Sequence, residues 1–215
     1  MGKAVAIFDV DRTILAKTST ERLFFRYLFT RGELHVSGLL FFIWQFLLHL
    51  RRPEWRLIKS NKGYLKGLNV KNLQAGVPFF FDRIIRPRLV PEMVARVKKH
   101  LQNGEEVFLL SGMPEFLLAQ YAKELGVAHF WGSKVAAKEG VFTGHFDGHF
   151  PFGAAKAEIV KQLAGEKGWD LSRSYAYADH HTDVYFLELV GHPVAANPDE
   201  KLRQVAQARG WEIIN

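Results

Sequence analysis

The chain carries two carboxylates, Asp9 and Asp11, two residues apart directly after a short apolar run, and a hydroxyl follows at Thr13. In a turn, this spacing can aim both acids at one small volume. Because adjacent anions repel each other, the arrangement is unfavourable unless a cation or an acid–base role compensates it. An isolated Asp-x-Asp is more often part of a solvated loop, so the surrounding elements decide what the pair can do.

The apolar run from Ala4 to Phe8 is too short for a helix and predicts a buried strand that ends at Asp9. In parallel α/β sheets the functional site lies beyond the carboxyl ends of the strands. Two more buried strands are predicted to end at polar residues: 107–110 before Ser111, and 175–178 before Asp179. We therefore expect the three polar positions to converge on one crevice.

The remaining sequence alternates between helical and strand patterns, which predicts an α/β fold with a Rossmann-like parallel sheet. The predicted helices are 92–102, 114–125, 154–165, 184–190 and 199–208. The other predicted strands are 128–131, 193–196 and 212–214, with a hairpin formed by 134–137 and 141–145.

Composition excludes several classes of protein. With 215 residues, 48% of them hydrophobic, the chain is globular rather than disordered or of low complexity. It has no cysteine, so disulfides, thiolate zinc sites, iron–sulfur clusters and cysteine nucleophiles are excluded. The apolar run before Asp9 is too short for the core of a signal peptide. We expect an unsecreted, cytoplasmic protein, with membrane association left open.

Positive charge is concentrated between Lys17 and Ile85. This segment holds twelve basic and four acidic residues and nine of the 18 phenylalanines, in a chain whose total net charge is +7. Two regions of different composition therefore share one chain. We predict a catalytic core formed by residues 1–16 and 86–215, with residues 17–85 inserted as a helical module after the first strand.

Within this module, residues Thr20 to Thr30 have helical spacing, with Ser19 or Thr20 as N-cap. The next run, Gly38 to Leu50, is apolar nearly all the way round and precedes Arg51 and Arg52. A bilayer span needs about 20 such residues, so this run is too short to predict one. A buried helix of the module is the favoured interpretation, and an interfacial helix that touches lipid is the alternative.

Four segments resemble, in order and spacing, the motifs of the haloacid dehalogenase superfamily, whose phosphatases begin with Asp-x-Asp-x-Thr after the first strand. The inserted module resembles a C1-type cap. The chain as a whole is therefore similar to the phosphoserine-phosphatase-like hydrolases of subfamily IB. The resemblance covers essentially the whole chain and is vague only in the cap. The four segments are Asp9-Val10-Asp11-Arg12-Thr13, Phe108-Leu109-Leu110-Ser111-Gly112, Phe152-Gly153-Ala154-Ala155-Lys156 and Asp179-His180-His181-Thr182-Asp183.

The resemblance implies a Mg²⁺-dependent phosphomonoester hydrolase. Asp9 is implied as the nucleophile that becomes an aspartyl-phosphate, which splits one difficult displacement into two easier ones. Asp11 is implied as the acid that protonates the leaving alcohol and then activates water. Lys156 is implied as the catalytic cation that neutralises the phosphate and the Asp9 charge.

The same resemblance implies the binding groups. Asp9, Asp179 and the Asp11 backbone carbonyl are implied as ligands of Mg²⁺, a hard ion that prefers oxygen. Asp183 is implied to orient this set from behind. The implied phosphate-binding groups are Thr13, Ser111, the Gly112 amide and Lys156.

Three positions depart from the family pattern. Arg12 occupies a position where a small residue is usual, Ala178 precedes Asp179 where glycine is frequent, and His180-His181 is an unusual filling of the fourth loop. None of these departures removes a catalytic group. The two histidines are interpreted as exposed bystanders rather than as groups that modulate the site.

The substrate is left open by the sequence. A phosphoserine phosphatase needs groups for a carboxylate and an ammonium, for which Glu21 and an arginine at position 22, 26 or 56 qualify by type alone. A phosphorylated lipid headgroup, such as phosphatidylglycerophosphate, is the alternative, because the module is basic and rich in phenylalanine. Nucleic-acid binding is only a remote alternative, since no zinc, helix-turn-helix or RNP-like motif accompanies the charge.

Overall fold

A computed structural model describes residues 2–50, 61–148 and 150–215. Its centre is a seven-stranded sheet in the order β4-β3-β2-β1-β5-β6-β7. All neighbouring strands are parallel except β3 and β4, which form an antiparallel pair at one edge. The strands are β1 (Val5–Phe8), β2 (Glu106–Pro114), β3 (His129–Lys138), β4 (Val141–Asp147), β5 (Tyr175–Ala178), β6 (His192–Ala196) and β7 (Glu212–Ile214).

Helices connect and cover these strands, so the predicted α/β fold with a Rossmann-like parallel sheet is confirmed. The α-helices of the described residues are α1 (Thr20–Thr30), α2 (Val36–Leu50), α3 (Val70–Phe80), α4 (Pro91–Gln102), α5 (Glu115–Leu125), α6 (Ala154–Lys167), α7 (Val184–Leu187) and α8 (Glu200–Arg209). Short turns of 3₁₀ or π-helix lie at Gly63–Leu65, Phe81–Ile85, Arg86–Arg88, Leu171–Arg173 and His181–Asp183.

The central strand β1 explains why the sequence forms a sheet covered on both faces. All four of its side chains are buried. Ala6 and Phe8 belong to one hydrophobic cluster, and Val5 and Ile7 to the other, as expected because successive strand side chains point to opposite faces. A strand that is apolar at every position therefore suits a parallel sheet between two helical layers.

Several predicted boundaries were wrong. The strand 128–131 and the first arm of the hairpin are one strand, β3, which pairs with β2 through its first half and with β4 through its second half. The apolar pattern of β3 is interrupted at Gly132 and Ser133, which lie inside the strand. The sequence therefore predicts two segments where the structure has one. The helix predicted over 184–190 ends at Leu187 in the structure.

The segment between β1 and α4 is attached to the sheet through its edge hairpin. The Gly67 amide donates to the Phe142 carbonyl oxygen at 3.0 Å, and the Phe142 amide donates to the Leu68 carbonyl oxygen at 2.9 Å. A third bond joins the Val70 amide to the Gly140 carbonyl oxygen at 2.9 Å. Phe24 of α1 also packs on Phe116 of α5, so this segment shares a hydrophobic cluster with the sheet.

The expectation that the run 38–50 is a buried helix is wrong for the outer face of α2. Leu40, Ile43, Trp44 and Leu47 are exposed, whereas Gly38 is buried. The physical reason is that the run is apolar all round but only one face of the helix meets the rest of the chain. In the part of the chain that the structure describes, no helix is long and apolar enough to cross a membrane.

Candidate functional site

The predicted crevice exists at the carboxyl ends of β1, β2 and β5. It is a cavity of about 480 Å³ whose lining includes Asp9, Asp11, Ser111 and Asp179. Asp9 and Asp179 follow β1 and β5 directly, as expected from the sequence. Ser111 instead lies within β2, which continues to Pro114 after a register shift against β3 between Leu110 and Pro114.

Asp9 and Lys156 form the centre of the site. The Lys156 Nζ donates to Asp9 Oδ1 at 2.6 Å and lies 3.0 Å from the Asp183 carboxylate. All three side chains are buried. Burial alone would lower the pKa of Lys156, but the two carboxylates outweigh it and raise the pKa, so the ammonium is charged. The structure thus places the first, third and fourth sequence motifs in direct contact.

Thr13 lies behind Asp9 rather than on the cavity wall. Its hydroxyl donates to Asp9 Oδ2 at 3.2 Å, and the side chain is fully buried. The predicted direct contact between Thr13 and a phosphate therefore has no support in the structure. What the geometry supports is a role in orienting the Asp9 carboxylate.

Three carboxylates form a candidate cation site. One oxygen from each of Asp9, Asp179 and Asp183 lies within 4.8 Å of the others, and all three residues are buried. Burial, followed by repulsion from Asp9, raises the pKa of Asp179 to about 8. Such an all-oxygen donor set fits Mg²⁺, which binds carboxylate oxygens.

Arg12, one of the departures from the family pattern, reaches this cation site. Its Nε lies 3.3 Å from Asp179 Oδ2, and about half of its side chain is exposed. The guanidinium opposes the rise in the Asp179 pKa. Its backbone has φ +66°, a left-handed conformation that is uncommon outside glycine and that directs the turn between Asp11 and Thr13.

Asp11 faces α1 instead of joining the cation site through its carboxylate. Its Oδ1 accepts hydrogen bonds from the Thr20 amide at 2.7 Å and the Thr20 hydroxyl at 2.6 Å. The Thr20 hydroxyl in turn lies 2.7 Å from the Tyr121 hydroxyl. Burial raises the pKa of Asp11 to about 6, although the Thr20 hydrogen bonds oppose the rise.

Sequence reasoning missed the positioning role of both Thr20 and Tyr121. The sequence predicts Thr20 as a candidate N-cap, which places it at the start of α1 but does not connect it with Asp11. The structure assigns the cap to Ser19, whose side chain accepts from the Arg22 amide. Tyr121 lies on α5, far along the chain, and no local signal links it to Asp11.

The last residues of β2, which include Ser111 and Gly112, bring backbone close to the cavity. Ser111 is buried and its hydroxyl accepts a hydrogen bond from the Met113 amide at 3.3 Å. A Cβ at Gly112 would lie 3.1 Å from a ring carbon of Phe150, so glycine permits this close approach. The Ser133 hydroxyl donates to the Gly112 carbonyl oxygen at 2.8 Å and fixes this end of β2.

The far wall of the cavity is mostly aromatic and contains one ion pair. Phe25, Phe42 and Tyr64 line it together with Glu21, which pairs with the buried ammonium of Lys62. Burial raises the pKa of Tyr64 well above its usual value, so the phenol is neutral. Of the arginines considered as substrate ligands, Arg22 lines the cavity, Arg26 does not, and Arg56 lies outside the described residues.

The two histidines of the fourth motif have different surroundings. The His180 side chain lines the cavity and its Nδ1 lies 2.9 Å from the Thr182 hydroxyl. The His181 Nδ1 lies 2.7 Å from Asp199 Oδ2, at the N-terminus of α8. The two ring centroids lie 4.3 Å apart, and the ring planes are tilted by 30°. Both residues are only partly exposed, with His180 at the edge of the site.

Comparison with known proteins agrees with this geometry. Residues 6–188 match the family model described as haloacid dehalogenase-like hydrolase. The chain is 32% identical to the inhibition of morphological differentiation protein of Streptomyces azureus, over 99% of this chain and 78% of that one. It is 33% identical to the phosphoserine phosphatase SerB1 of Mycobacterium tuberculosis, over 98% of this chain and 70% of that one.

A solved structure shares the whole fold. A protein of unknown function from Bordetella pertussis Tohama I superposes with a TM-score of 0.76 at 28% identity, over 100% of this chain and 99% of that one. The family match spans the four motifs whose side chains meet in the cavity. The resemblance inferred from those motifs is confirmed, and the chain belongs to the haloacid dehalogenase-like hydrolase family.

Proposed function

We propose that this hydrolase is a Mg²⁺-dependent phosphomonoester phosphatase in which Asp9 forms a covalent aspartyl-phosphate. One observation carries the proposal: a buried carboxylate, Asp9, is held by Lys156, while a second carboxylate, Asp11, faces the same cavity with a pKa raised to about 6. Two carboxylates in such different environments can divide the roles of nucleophile and proton donor, with Asp11 able to donate its proton at a pH below about 6.

The first step transfers the phosphoryl group to the enzyme. A carboxylate oxygen of Asp9 attacks phosphorus, and the bond from phosphorus to the ester oxygen breaks. The Asp11 carboxyl gives its proton to the departing oxygen, which leaves as the alcohol. Since phosphoryl transfer depends mainly on positioning and charge neutralisation, the contacts of Asp9 with Lys156 and Thr13 serve to aim the nucleophile.

The second step hydrolyses the intermediate. Asp11, now ionised, takes a proton from a water molecule, whose oxygen attacks phosphorus. The bond between phosphorus and the Asp9 oxygen breaks, which releases inorganic phosphate and regenerates the Asp9 carboxylate. Asp11 ends the cycle protonated, ready to donate again, and its hydrogen bonds from Thr20 hold it in place for both proton transfers.

Mg²⁺ would be held by Asp9, Asp179 and the Asp11 backbone carbonyl, with Asp183 orienting this set. When bound, the ion supplies positive charge that offsets the negative charge of the phosphate and the carboxylates. Ser111, the Gly112 amide and Lys156 line the cavity beside Asp9 and are the proposed phosphate-binding donors. Thr13 supports Asp9 from behind.

The leaving group would meet the wall contributed by residues 17–85, which we propose as the cap of a core formed by 1–16 and 86–215. The mycobacterial relative named a phosphoserine phosphatase supports a phosphorylated small molecule as substrate. Glu21 is a weaker candidate for binding an ammonium than its residue type suggests, because Lys62 already neutralises it. A lipid phosphate is the second candidate, supported by the aromatic wall at Phe25 and Phe42.

The test is phosphate release from one panel of substrates, with and without Mg²⁺. The panel contains phosphoserine, small sugar and alcohol phosphates, and phosphatidylglycerophosphate in mixed micelles. We expect phosphate release that requires Mg²⁺ and disappears in Asp9→Asn. The matched control is Asp82→Asn, because Asp82 is an exposed carboxylate outside the cavity lining. Equal release by Asp9→Asn and the wild type would overturn the proposal.

A further inference from the structure

The helix α2 has two unlike faces. On its inner face a Cβ at Gly38 would lie 2.7 Å from the Lys66 carbonyl oxygen, so the helix packs closely on the neighbouring turn. Phe42, on the same face, contacts Phe25 and Tyr64, and its carbonyl oxygen accepts a hydrogen bond from Asn61 at 3.0 Å. This face is therefore fixed to the rest of the structure.

The outer face of α2 presents large apolar side chains to solvent. Leu40, Ile43, Trp44 and Leu47 are 64%, 51%, 53% and 56% exposed. Their spacing of three, four and seven residues places them in one stripe along the helix. Contiguous apolar surface of this kind is unusual on a soluble monomer and marks a surface with a partner.

The net charge of the segment that contains the stripe indicates the kind of partner. Residues 17–85 hold twelve basic and four acidic residues, and two of the basic ones, Arg51 and Arg52, directly follow α2 in the sequence. A second copy docked face to face would bring two strongly basic segments together, which like-charge repulsion disfavours. An anionic lipid surface complements both the charge and the apolar stripe.

We infer that α2 is an interfacial helix whose outer face docks the protein on an anionic bilayer surface. The helix lies in the plane of the interface, with Leu40, Ile43 and Leu47 among the acyl chains. Trp44 suits this position because its ring is apolar but its indole N–H remains able to meet water. The inference concerns this surface alone and goes beyond the proposed function.

The docking has a consequence for the cavity. Phe42 lines it from the inner face of the same helix. A bilayer in contact with the outer face of α2 would therefore lie one helix away from the cavity wall, since a helix with its side chains is about 10 Å across. The cavity would then face molecules held close to the lipid headgroups.

The test is cosedimentation of the full chain with vesicles of phosphatidylcholine alone or of phosphatidylcholine with phosphatidylglycerol. We expect binding to the anionic vesicles that weakens with added salt. A double variant, Leu40→Glu with Ile43→Glu, is expected to bind at least about tenfold more weakly, because it loses apolar burial and adds repelled charge. Phe79→Glu, at an exposed aromatic residue on α3, is the matched control and is expected to bind like the wild type.

Circular dichroism of each variant reports folding independently of activity, and Asp9→Asn is expected to bind vesicles normally. Failure of the docking inference and failure of the proposed phosphatase activity are therefore distinguishable. Absence of binding to anionic vesicles, or equal loss in the double variant and Phe79→Glu, would overturn the inference. So would a concentration-dependent dimer, formed without lipid, that the double variant dissociates, since the occupant of the stripe would then be a second copy.

Discussion

The ammonium of Lys156, at the first turn of α6, lies 2.6 Å from the Asp9 carboxylate at the end of β1. It also contacts Asp183, so a single cation stabilises two buried acids from the first and fourth motifs. Removing one partner of a buried ion pair costs about 3–5 kcal/mol, because the remaining charges lose their compensation. The contact between Lys156 and Asp9 therefore stabilises the folded site and also positions the proposed nucleophile.

We expect Lys156→Met to lower kcat for phosphate release by about a hundredfold or more, since one positioned donor to transition-state charge is worth that much. The variant should also unfold at a lower temperature than the wild type. Lys161→Met is the matched control, because Lys161 lies on the exposed side of the same helix. Retention of wild-type kcat by Lys156→Met would contradict the role assigned to this ammonium.

The raised pKa of Asp11 predicts how activity depends on pH. With a pKa of about 6, the acid form is populated below this value and lost above it. For an alkyl phosphate, whose leaving oxygen needs a proton, kcat/KM should therefore fall as the pH rises above about 6.

An aryl phosphate with an acidic leaving group does not need that proton, so the same fall should be absent with p-nitrophenyl phosphate. The two substrates are to be compared in parallel pH profiles at saturating Mg²⁺. Identical profiles for both would show that Asp11 does not protonate the leaving group.

Thr20 is expected to act through Asp11, to which it donates two hydrogen bonds. Thr20→Val removes the hydroxyl bond but keeps the amide bond and the side-chain shape. We expect a loss of about tenfold in kcat for the alkyl phosphate and little change in KM, because the acid is displaced while phosphate binding is unchanged. A rise in KM with unchanged kcat would assign Thr20 to substrate binding instead.

His180 lies at the edge of the cavity beside Asp179, yet its ring nitrogen is engaged with Thr182. We expect His180→Asn to change activity by less than about tenfold, because no step of the proposed mechanism uses the imidazole. Kinetics of this variant beside Asp9→Asn provide the measurement. A loss comparable to that of Asp9→Asn would show that the ring takes part in the reaction.

The site residues that belong to short sequence motifs could be predicted from the sequence. Asp9 and Asp179 follow strands that periodicity and apolar content could identify, whereas Lys156 and Asp183 were expected beside them only from the resemblance to the family motifs. Element types were predictable for the same reason, since buried strands and capped helices have local signatures.

What the sequence did not predict depends on contacts between distant segments. The hydrogen bond between Thr20 and Tyr121 joins two helices whose packing no local pattern encodes. The length of β3 depends on its two different partners, β2 and β4. For α2, an all-round apolar run does not reveal which face the tertiary structure covers, so its outer stripe emerged only from the fold.

The central claim is that Asp9 becomes phosphorylated during turnover. The most direct measurement is acid quenching of the enzyme during reaction with a radiolabelled phosphate ester and Mg²⁺, followed by identification of the labelled peptide. The account predicts label on the peptide that contains Asp9, formed and lost at rates consistent with kcat, and no label in Asp9→Asn. Active turnover with label on another residue, or phosphate release that persists in Asp9→Asn, would contradict it.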